Sequence, residues 1–294
     1  MPPKISIVTP SFNQAQFLEE TIQSVLNQNY PNLEYVIIDG GSNDGSQKII
    51  ERYSEYLHFW CSESDGGQYD AINKGFQNTT GDIMAWLNSD DMLCPWALRT
   101  VASVMESLPQ ISWLTTLNLA YWDYCSFCSG ISHMPGYSFE AFLDGCYLPP
   151  LGGIGFIQQE STFWRRALWN KAGKSLNSKL IFAADFELWC RFFNHEILYG
   201  IDSPLGGFRR QHAQKSLQMD LYLDEAIPLL MDLRQAVNWR PNLLRKACLR
   251  GKLNRLPKVK DYVTERVGYL GSKVVRKEAA IREGYWDIHT HRFL

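Results

Sequence analysis

Four short apolar runs separated by segments of helical spacing dominate the first 110 residues. They are Lys4 to Thr9, Leu33 to Ile38, His58 to Ser62 and Ile83 to Leu87. That alternation predicts crossover units on a mostly parallel sheet covered by helices. Between the first two runs, Leu18, Ile22, Val25 and Leu26 fall at i, i+4, i+7 and i+8, the single stripe of an amphipathic helix that Pro31 stops. Pro10 is expected to close the first strand. The later runs end at or just before acids: Asp39, Asp65, and the adjacent pair Asp90 and Asp91. Open α/β sheets place ligands at the carboxyl ends of their strands, so several carboxylates converge where a ligand is expected. Such a cluster is costly unless a cation or hydrogen-bond donors share the cleft.

Composition narrows the class of function. Hydrophobic residues make up 45% and charged residues 20% of 294 positions, as in globular domains. Lys and Arg (29) nearly balance Asp and Glu (31), so no nucleic acid partner is implied. The start, Ile5-Ser6-Ile7-Val8, lacks a long apolar region, and no run approaches membrane-spanning length, which predicts neither a signal peptide nor a transmembrane helix. Seven scattered cysteines predict no disulfide framework. Cys125 and Cys128 have CxxC spacing without a second pair, and the aromatic run around them reads as core.

Past Ile111 the alternation blurs into aromatic-rich segments that predict a second lobe of loops and short strands. Phe182 to Asn194 reads as a helix with Phe186, Trp189 and Phe193 on one stripe and Asp185 near its start, where the helix dipole favours a carboxylate. Residues 216 to 294 read as helical, with breaks at Pro228, Pro241 and Pro257. From Arg234 to Glu283 there are 14 Lys and Arg against 4 Asp and Glu, a local charge of +10.

No G-x-G-x-x-G follows the first strand and no G-x-x-x-x-G-K-[ST] is present, which removes dinucleotide-dependent dehydrogenases and P-loop NTPases. Asp90 and Asp91 suit a hard divalent ion held through oxygen, and such an ion can neutralise a diphosphate. Alone, an Asp pair after a strand is more often a turn or a helix cap than a metal site.

Its neighbours give the pair a context. Ser6-Ile-Val-Thr-Pro-Ser-Phe-Asn13, Gln28 to Gly45 with its Asp-Gly-Gly-Ser-Asn-Asp-Gly ending, Ser64 to Gly75 and Trp86-Leu-Asn-Ser-Asp-Asp91 resemble family 2 glycosyltransferases, particularly bacterial enzymes of exopolysaccharide synthesis. The likeness is dense over residues 4 to 110, thinner to about 216, and absent beyond. It implies a GT-A fold, a Rossmann-like mostly parallel sheet with helices on both faces, plus a C-terminal helical extension. The implied organisation is a nucleotide-sugar-binding half (1–115), an acceptor-binding and catalytic half (116–216) and a C-terminal helical region (217–294).

By that resemblance Thr9 and Pro10 line the base and ribose pocket, Asp65 and Lys74 lie toward the nucleotide, and Asp39 accepts a hydrogen bond from the base. A carboxylate acceptor suits the imide N–H of uracil, which favours a UDP-sugar donor. Asn88-Ser89-Asp90 stands in the family's Asp-x-Asp place, so Asp90 and Asp91 carry the Mn2+ or Mg2+ function, with Asp90 also toward the nucleotide. His212, in Gly207 to Ser216, is the third metal candidate, and Arg209 or Arg210 pairs with phosphate. Asp185, in Ala184-Asp185-Phe-Glu-Leu-Trp189, falls at the position of the catalytic base, with Glu187 next in line; Ala184 and Asn88 stand where the family has acids.

The expected activity is metal-dependent inverting transfer of a sugar from a nucleoside diphosphate to a saccharide or lipid-linked saccharide hydroxyl. The alternative is a nucleotide-sugar-binding or regulatory protein with impaired chemistry. A nucleotidyltransferase is disfavoured because Pro10-Ser-Phe-Asn13 is not a glycine- and arginine-rich loop. The expected location is cytoplasmic, with the basic C-terminal region a candidate for peripheral contact with the inner face of the membrane.

Overall fold

In the central strands successive side chains face opposite layers. In β1 (Ile5–Ser11) Ile5 and Ile7 enter one core and Val8 the other. In β2 (Leu33–Asp39), after helix α1 (Ala15–Leu26), Tyr35 and Ile37 oppose Val36 and Ile38. Helix α2 (Ser46–Tyr53), β3 (Phe59–Ser62) and helix α3 (Gln68–Gln77) follow. In β4 (Ile83–Trp86), Ile83 and Ala85 oppose Met84 and Trp86. Strands buried on both faces read as continuous apolar runs, which is why β1, β2 and β4 stood out in the sequence, whereas β3 is a half-exposed edge strand. The computed structural model describes residues 1–149, 153–212, 214–253, 256–279 and 284–294.

β1 runs through Pro10 to Ser11, two residues past the expected end at Thr9. Its pairing with β4 ends at Val8, so beyond that point only β2 flanks it, a setting that tolerates proline. α1 buries Leu18, Ile22 and Val25 of the expected stripe, with Phe17 and Thr21 beside them, while Leu26 is half-buried. α3 lies so close on β1 that a Cβ at Gly75 would meet Val8 Cγ1 at 2.3 Å.

Next come β5 (Met92–Leu93), α4 (Ala97–Ser107), β6 (Trp113–Thr116), β7 (Asn118–Trp122), β8 (Cys128–His133) and α5 (Phe139–Asp144). They are followed by β9 (Phe163–Arg165), α6 (Arg166–Lys171), α7 (Ala184–Phe193), β10 (Leu198–Ile201) and β11 (Gly206–Arg209). Then come α8 (Met219–Ala236), α9 (Leu243–Arg250), α10 (Pro257–Val267), β12 (Tyr269–Glu278) and β13 (Tyr285–Phe293). The main sheet has the order β13-β12-β10-β6-β9-β4-β1-β2-β3, with β9 and β13 antiparallel to their neighbours. A smaller sheet, β5-β11-β7-β8, forms the second lobe.

The C-terminal region departs from the all-helical expectation. α8 continues through Pro228, and after α10 the chain returns as β12 and β13, extending the main sheet beside β10. Buried Tyr269, Val274 and Val275 alternate irregularly with exposed Leu270, Arg276 and Lys277, so neither a strand nor a helical period is clean. The Cys125–Cys128 segment is also not core: both thiols, Tyr124 and Phe127 are exposed at the tip between β7 and β8. Among the described residues no helix is long and apolar enough to cross a membrane.

Trp86, Trp164 and Trp189 tie the two halves together. Trp189 of α7 stacks on Trp86 of β4 at 6.2 Å and 8°, and Trp164 of β9 packs edge-on against both. Trp86 leads directly into Asn88 to Asp91, and Trp189 lies one turn beyond Asp185. The apolar layer therefore packs the helix that carries Asp185 on the strand that leads into the acidic loop.

Candidate active site

A cavity of about 530 Å³ opens at the carboxyl ends of the central strands. Pro10, Ser11, Phe12 and Gln14 form its β1 side, Gly40 and Asp65 the β2 and β3 side, and Asn88 to Asp91 the β4 side. Phe208, Gln211, Gln214 and Lys215 close it from the second lobe. Ser11 Oγ and Gln14 Oε1 are buried on this wall without a protein partner, an arrangement that costs free energy until a ligand supplies one. A second hollow of about 510 Å³ between α8 and α9 touches no strand end and carries Asp232 as its lone described acid.

Asp91 is buried. Its carboxylate accepts from the Arg209 backbone N–H at 2.9 Å and from Asn88 Nδ2 at 3.2 Å. Burial, then the neighbouring charges of Asp90 and Glu160, push its proton affinity well above the ordinary range. Asp90 accepts from Gln211 Nε2 at 2.7 Å and is raised by burial as well. Glu160, just before β9, is buried with Oε1 unpartnered; burial, followed by the charges of Asp90 and Asp185, pushes it up to about 8. Asn88, in the first slot of the acidic motif, works as a connector: Gln68 Nε2 donates to its Oδ1, and its Nδ2 reaches Asp91 and Gln159.

Asp185 sits in the first turn of α7. It accepts from the Phe186 N–H at 2.7 Å, and the Tyr222 hydroxyl of α8 lies near enough to lower its proton affinity. Burial is the largest cause of its rise to about 6, with the Glu225 charge adding to it. Glu187, the fallback base, is paired with Arg191 at 2.7 Å and is not free for chemistry.

Several expected residues stand elsewhere. Thr9 is buried with its hydroxyl 3.0 Å from Tyr35 Oη and does not line the cavity, whereas Pro10 does. Asp39 lies beneath the Gly40 turn, its carboxylate occupied by Ser42 N–H, Ser42 Oγ and Ser62 Oγ. Asp65 is the lining carboxylate on that side, and it packs so closely that a Cβ at Gly40 would meet it at 3.2 Å. Lys74 ion-pairs with Glu63 and Asp70 and does not line the cavity. His212 is exposed and outside the wall. Among the described residues no three His, Cys, Asp or Glu side chains gather as a metal cage, so the Asp90, Asp91 and His212 trio is not assembled. Arg209 is fully buried and faces Glu20, Ser126 and the Phe17 ring, while Arg210 stacks on Tyr121; neither lines the cavity.

Lys215 is the cation the sequence reading missed. It lines the cavity, donates to Gln68 Oε1 at 3.0 Å and to the Ile181 carbonyl at 3.1 Å, and its proton affinity is lowered by burial. Its place three residues after His212 was the available signal.

Residues 6–117, covering nearly all of the acid-bearing strand ends, match the model of glycosyl transferase family 2. Over that stretch the chain is similar to the family. An uncharacterised glycosyltransferase of Mycobacterium tuberculosis is 39% identical over 107 residues, 36% of this chain and 40% of the relative. TuaG of Bacillus subtilis, a putative teichuronic acid biosynthesis glycosyltransferase, is 37% identical over 92 residues, 30% of this chain and 36% of TuaG. The matched segments thus span two fifths or less of these relatives. The fold is GT-A. S. aureus TarS 1–349, solved with UDP-GlcNAc, superposes with a TM-score of 0.57 at 17% identity over 78% of this chain and 66% of TarS 1–349. The mannosyltransferase PcManGT of Pyrobaculum calidifontis, solved with GDP-Man and Mn2+, gives 0.51 at 16% identity over 90% of this chain and 84% of its own.

Proposed function

We propose that this chain transfers a sugar from a nucleoside diphosphate donor to an acceptor hydroxyl with inversion, Asp185 acting as the base. The observation that carries the reading is the pairing of an acid-walled cavity at the strand ends with a separate carboxylate, Asp185, tuned to about 6. A base with that affinity is ionised at neutral pH yet still able to accept a proton as the hydroxyl attacks the anomeric carbon. The bond to the anomeric oxygen of the diphosphate breaks as the new glycosidic bond forms, and the hydroxyl proton passes to Asp185.

Asp65, Asp90 and Asp91 face a single lining cation, Lys215, so the described wall is an unfavourable host for a diphosphate on its own. The donor set fits a hard divalent ion: oxygen ligands only, and two neighbouring carboxylates whose raised affinities a cation would relieve. Mg2+ is commonly held by one or two carboxylates plus substrate phosphates, which suits Asp90 and Asp91 without a third side chain. Mn2+ or Mg2+ bound there would offset the charge on the leaving diphosphate. Lys215 supplies a further positive group on the same side.

A UDP-sugar is favoured, with Asp65 rather than the fully engaged Asp39 accepting from the uracil imide, and Ser11 and Gln14 offering their free groups to the nucleoside. A saccharide or lipid-linked saccharide is the acceptor in this reading. Exposed Leu243, Leu244 and Leu256 among Lys and Arg of the C-terminal helices support contact with an anionic membrane surface, in keeping with a cytoplasmic protein of polysaccharide synthesis.

Replacing Asp185 by Asn tests the assignment. Transfer should fall by about 10³-fold or more while UDP affinity with Mn2+ stays within about twofold. Normal turnover by the purified variant would remove Asp185 from the role.

A further inference from the structure

The three peptide units that lead into α7 are held by one side chain from outside the family-matched stretch. Glu225, on α8, accepts the N–H groups of Ile181 and Phe182 at 2.9 Å each and of Ala183 at 2.8 Å. These are orphan donors at and before a helix start, groups that usually need a cap, and Ala183 and Ala184 have no side chain that could supply one. The carbonyls of the same units are taken as well. Lys215 Nζ donates to Ile181 O at 3.1 Å, and Tyr69 Oη of α3 donates to Phe182 O at 2.8 Å. One turn of α8 earlier, Tyr222 lies beside Asp185 itself.

We propose that Glu225 is a positioning residue for the base. A single carboxylate from α8 fixes the 181–183 segment and with it the direction of the Asp185 side chain, making the C-terminal helical region part of the working site. This rests on the reading of Asp185 as base. The geometry supports more than ordinary packing, because the clamp is continuous with the cavity: Lys215, which bonds the clamped segment, also bonds Gln68, and Gln68 bonds Asn88 beside Asp91. The segment that carries the base is thus joined to the acidic wall by named hydrogen bonds. Glu225 also faces Asp185 electrostatically, together with Tyr222 of α8, Tyr69 of α3 and Glu160 before β9.

The test compares wild type, Glu225→Ala, Glu225→Gln and Asp185→Asn in the full chain with Mn2+. Turnover is read as hydrolysis of the best cleaved of UDP-glucose, UDP-galactose, UDP-GlcNAc and GDP-mannose, water standing in for the acceptor. Hydrogen exchange of residues 181–186 is read in parallel and needs no donor. Glu225→Ala should lose at least tenfold in kcat with KM and UDP affinity within twofold, and exchange at 181–186 should rise at least tenfold while β1 is unchanged. Glu225→Gln keeps the size and one acceptor oxygen but no charge. It should retain more turnover, with the acid limb of its pH profile moved to lower pH. Wild-type kcat, acid limb and exchange in both Glu225 variants, alongside an inactive Asp185→Asn, would overturn the inference. An active Asp185→Asn instead defeats the base assignment, and exchange at 181–186 then decides the clamp alone. Should Glu225→Ala not fold, Glu225→Gln decides by its acid limb and its exchange.

Discussion

The two ends of the main sheet treat carboxylates in opposite ways. At the amino ends of β1, β2 and β4, buried Glu34 accepts from Lys4 Nζ, Ser6 Oγ, Thr80 N–H, Thr80 Oγ1 and the Gly81 N–H, all within 2.6–3.1 Å. Burial raises its proton affinity, but the hydrogen bonds outweigh that and bring it down to about 2. At the carboxyl ends, Asp90, Asp91, Glu160 and Asp185 have fewer donors, and burial holds all four above their ordinary values. Heavier desolvation with fewer donors at the second end yields the opposite shift. The first end uses its acid for stability; the second bears unfavourable acids that a cation, a phosphate partner or a reacting proton can relieve.

The contrast breaks most visibly at Glu34. Its affinity is depressed from 4.5 to about 2, so its contribution is present above pH 4.5 and is lost as pH falls through 2. Glu34→Gln should destabilise the protein at pH 7 by roughly 3 kcal/mol and flatten the loss of stability across that acid window, as measured by urea unfolding. UDP binding should not change, because Glu34 is far along the strands from the cavity.

Asp185 has the opposite sign. Raised from 3.8 to about 6, it holds its proton more tightly folded than unfolded, so stability falls as pH rises between those values and the cost is complete above about 6. Asp185→Asn should therefore stabilise the chain at pH 7 by up to ~3 kcal/mol, less to the extent that its partly open face admits solvent, while turnover is lost. A destabilised variant in urea unfolding would contradict the contrast. Smaller still, Lys215→Ala should raise donor KM by about tenfold and leave UDP-free stability within ~1 kcal/mol, as steady-state kinetics and unfolding would register.

Much of this was legible in the sequence because it lies at ends of apolar strands. The run into Asn88 to Asp91 and the α7 stripe beside Asp185 are local patterns; the first lines the cavity, while Asp185 is not among its lining residues and is linked to that wall through its charge effect on Glu160. What escaped was set by pairing across the chain. Lys74 sits in a motif, yet Glu63 and Asp70 take its ammonium; Asp39 ends a strand, yet its own turn and Ser62 consume it. Gln68, Gln211 and Glu225 are ordinary polar residues until folding sets them beside Asn88, Asp90 and Ala183. β12 and β13 read as helical because their burial arises from pairing with each other and with β10 rather than from a local period.

The central claim is that the acidic end of the sheet is a nucleoside diphosphate site completed by a divalent cation. Thermal unfolding with UDP and Mn2+, in the wild type and in Asp91→Ala, tests it most directly. UDP and Mn2+ together at about 100 times Kd should stabilise the wild type by about 2.7 kcal/mol, UDP with chelator should give little, and Asp91→Ala should lose the difference. Equal stabilisation by UDP with and without the metal, or in the variant, would contradict the account.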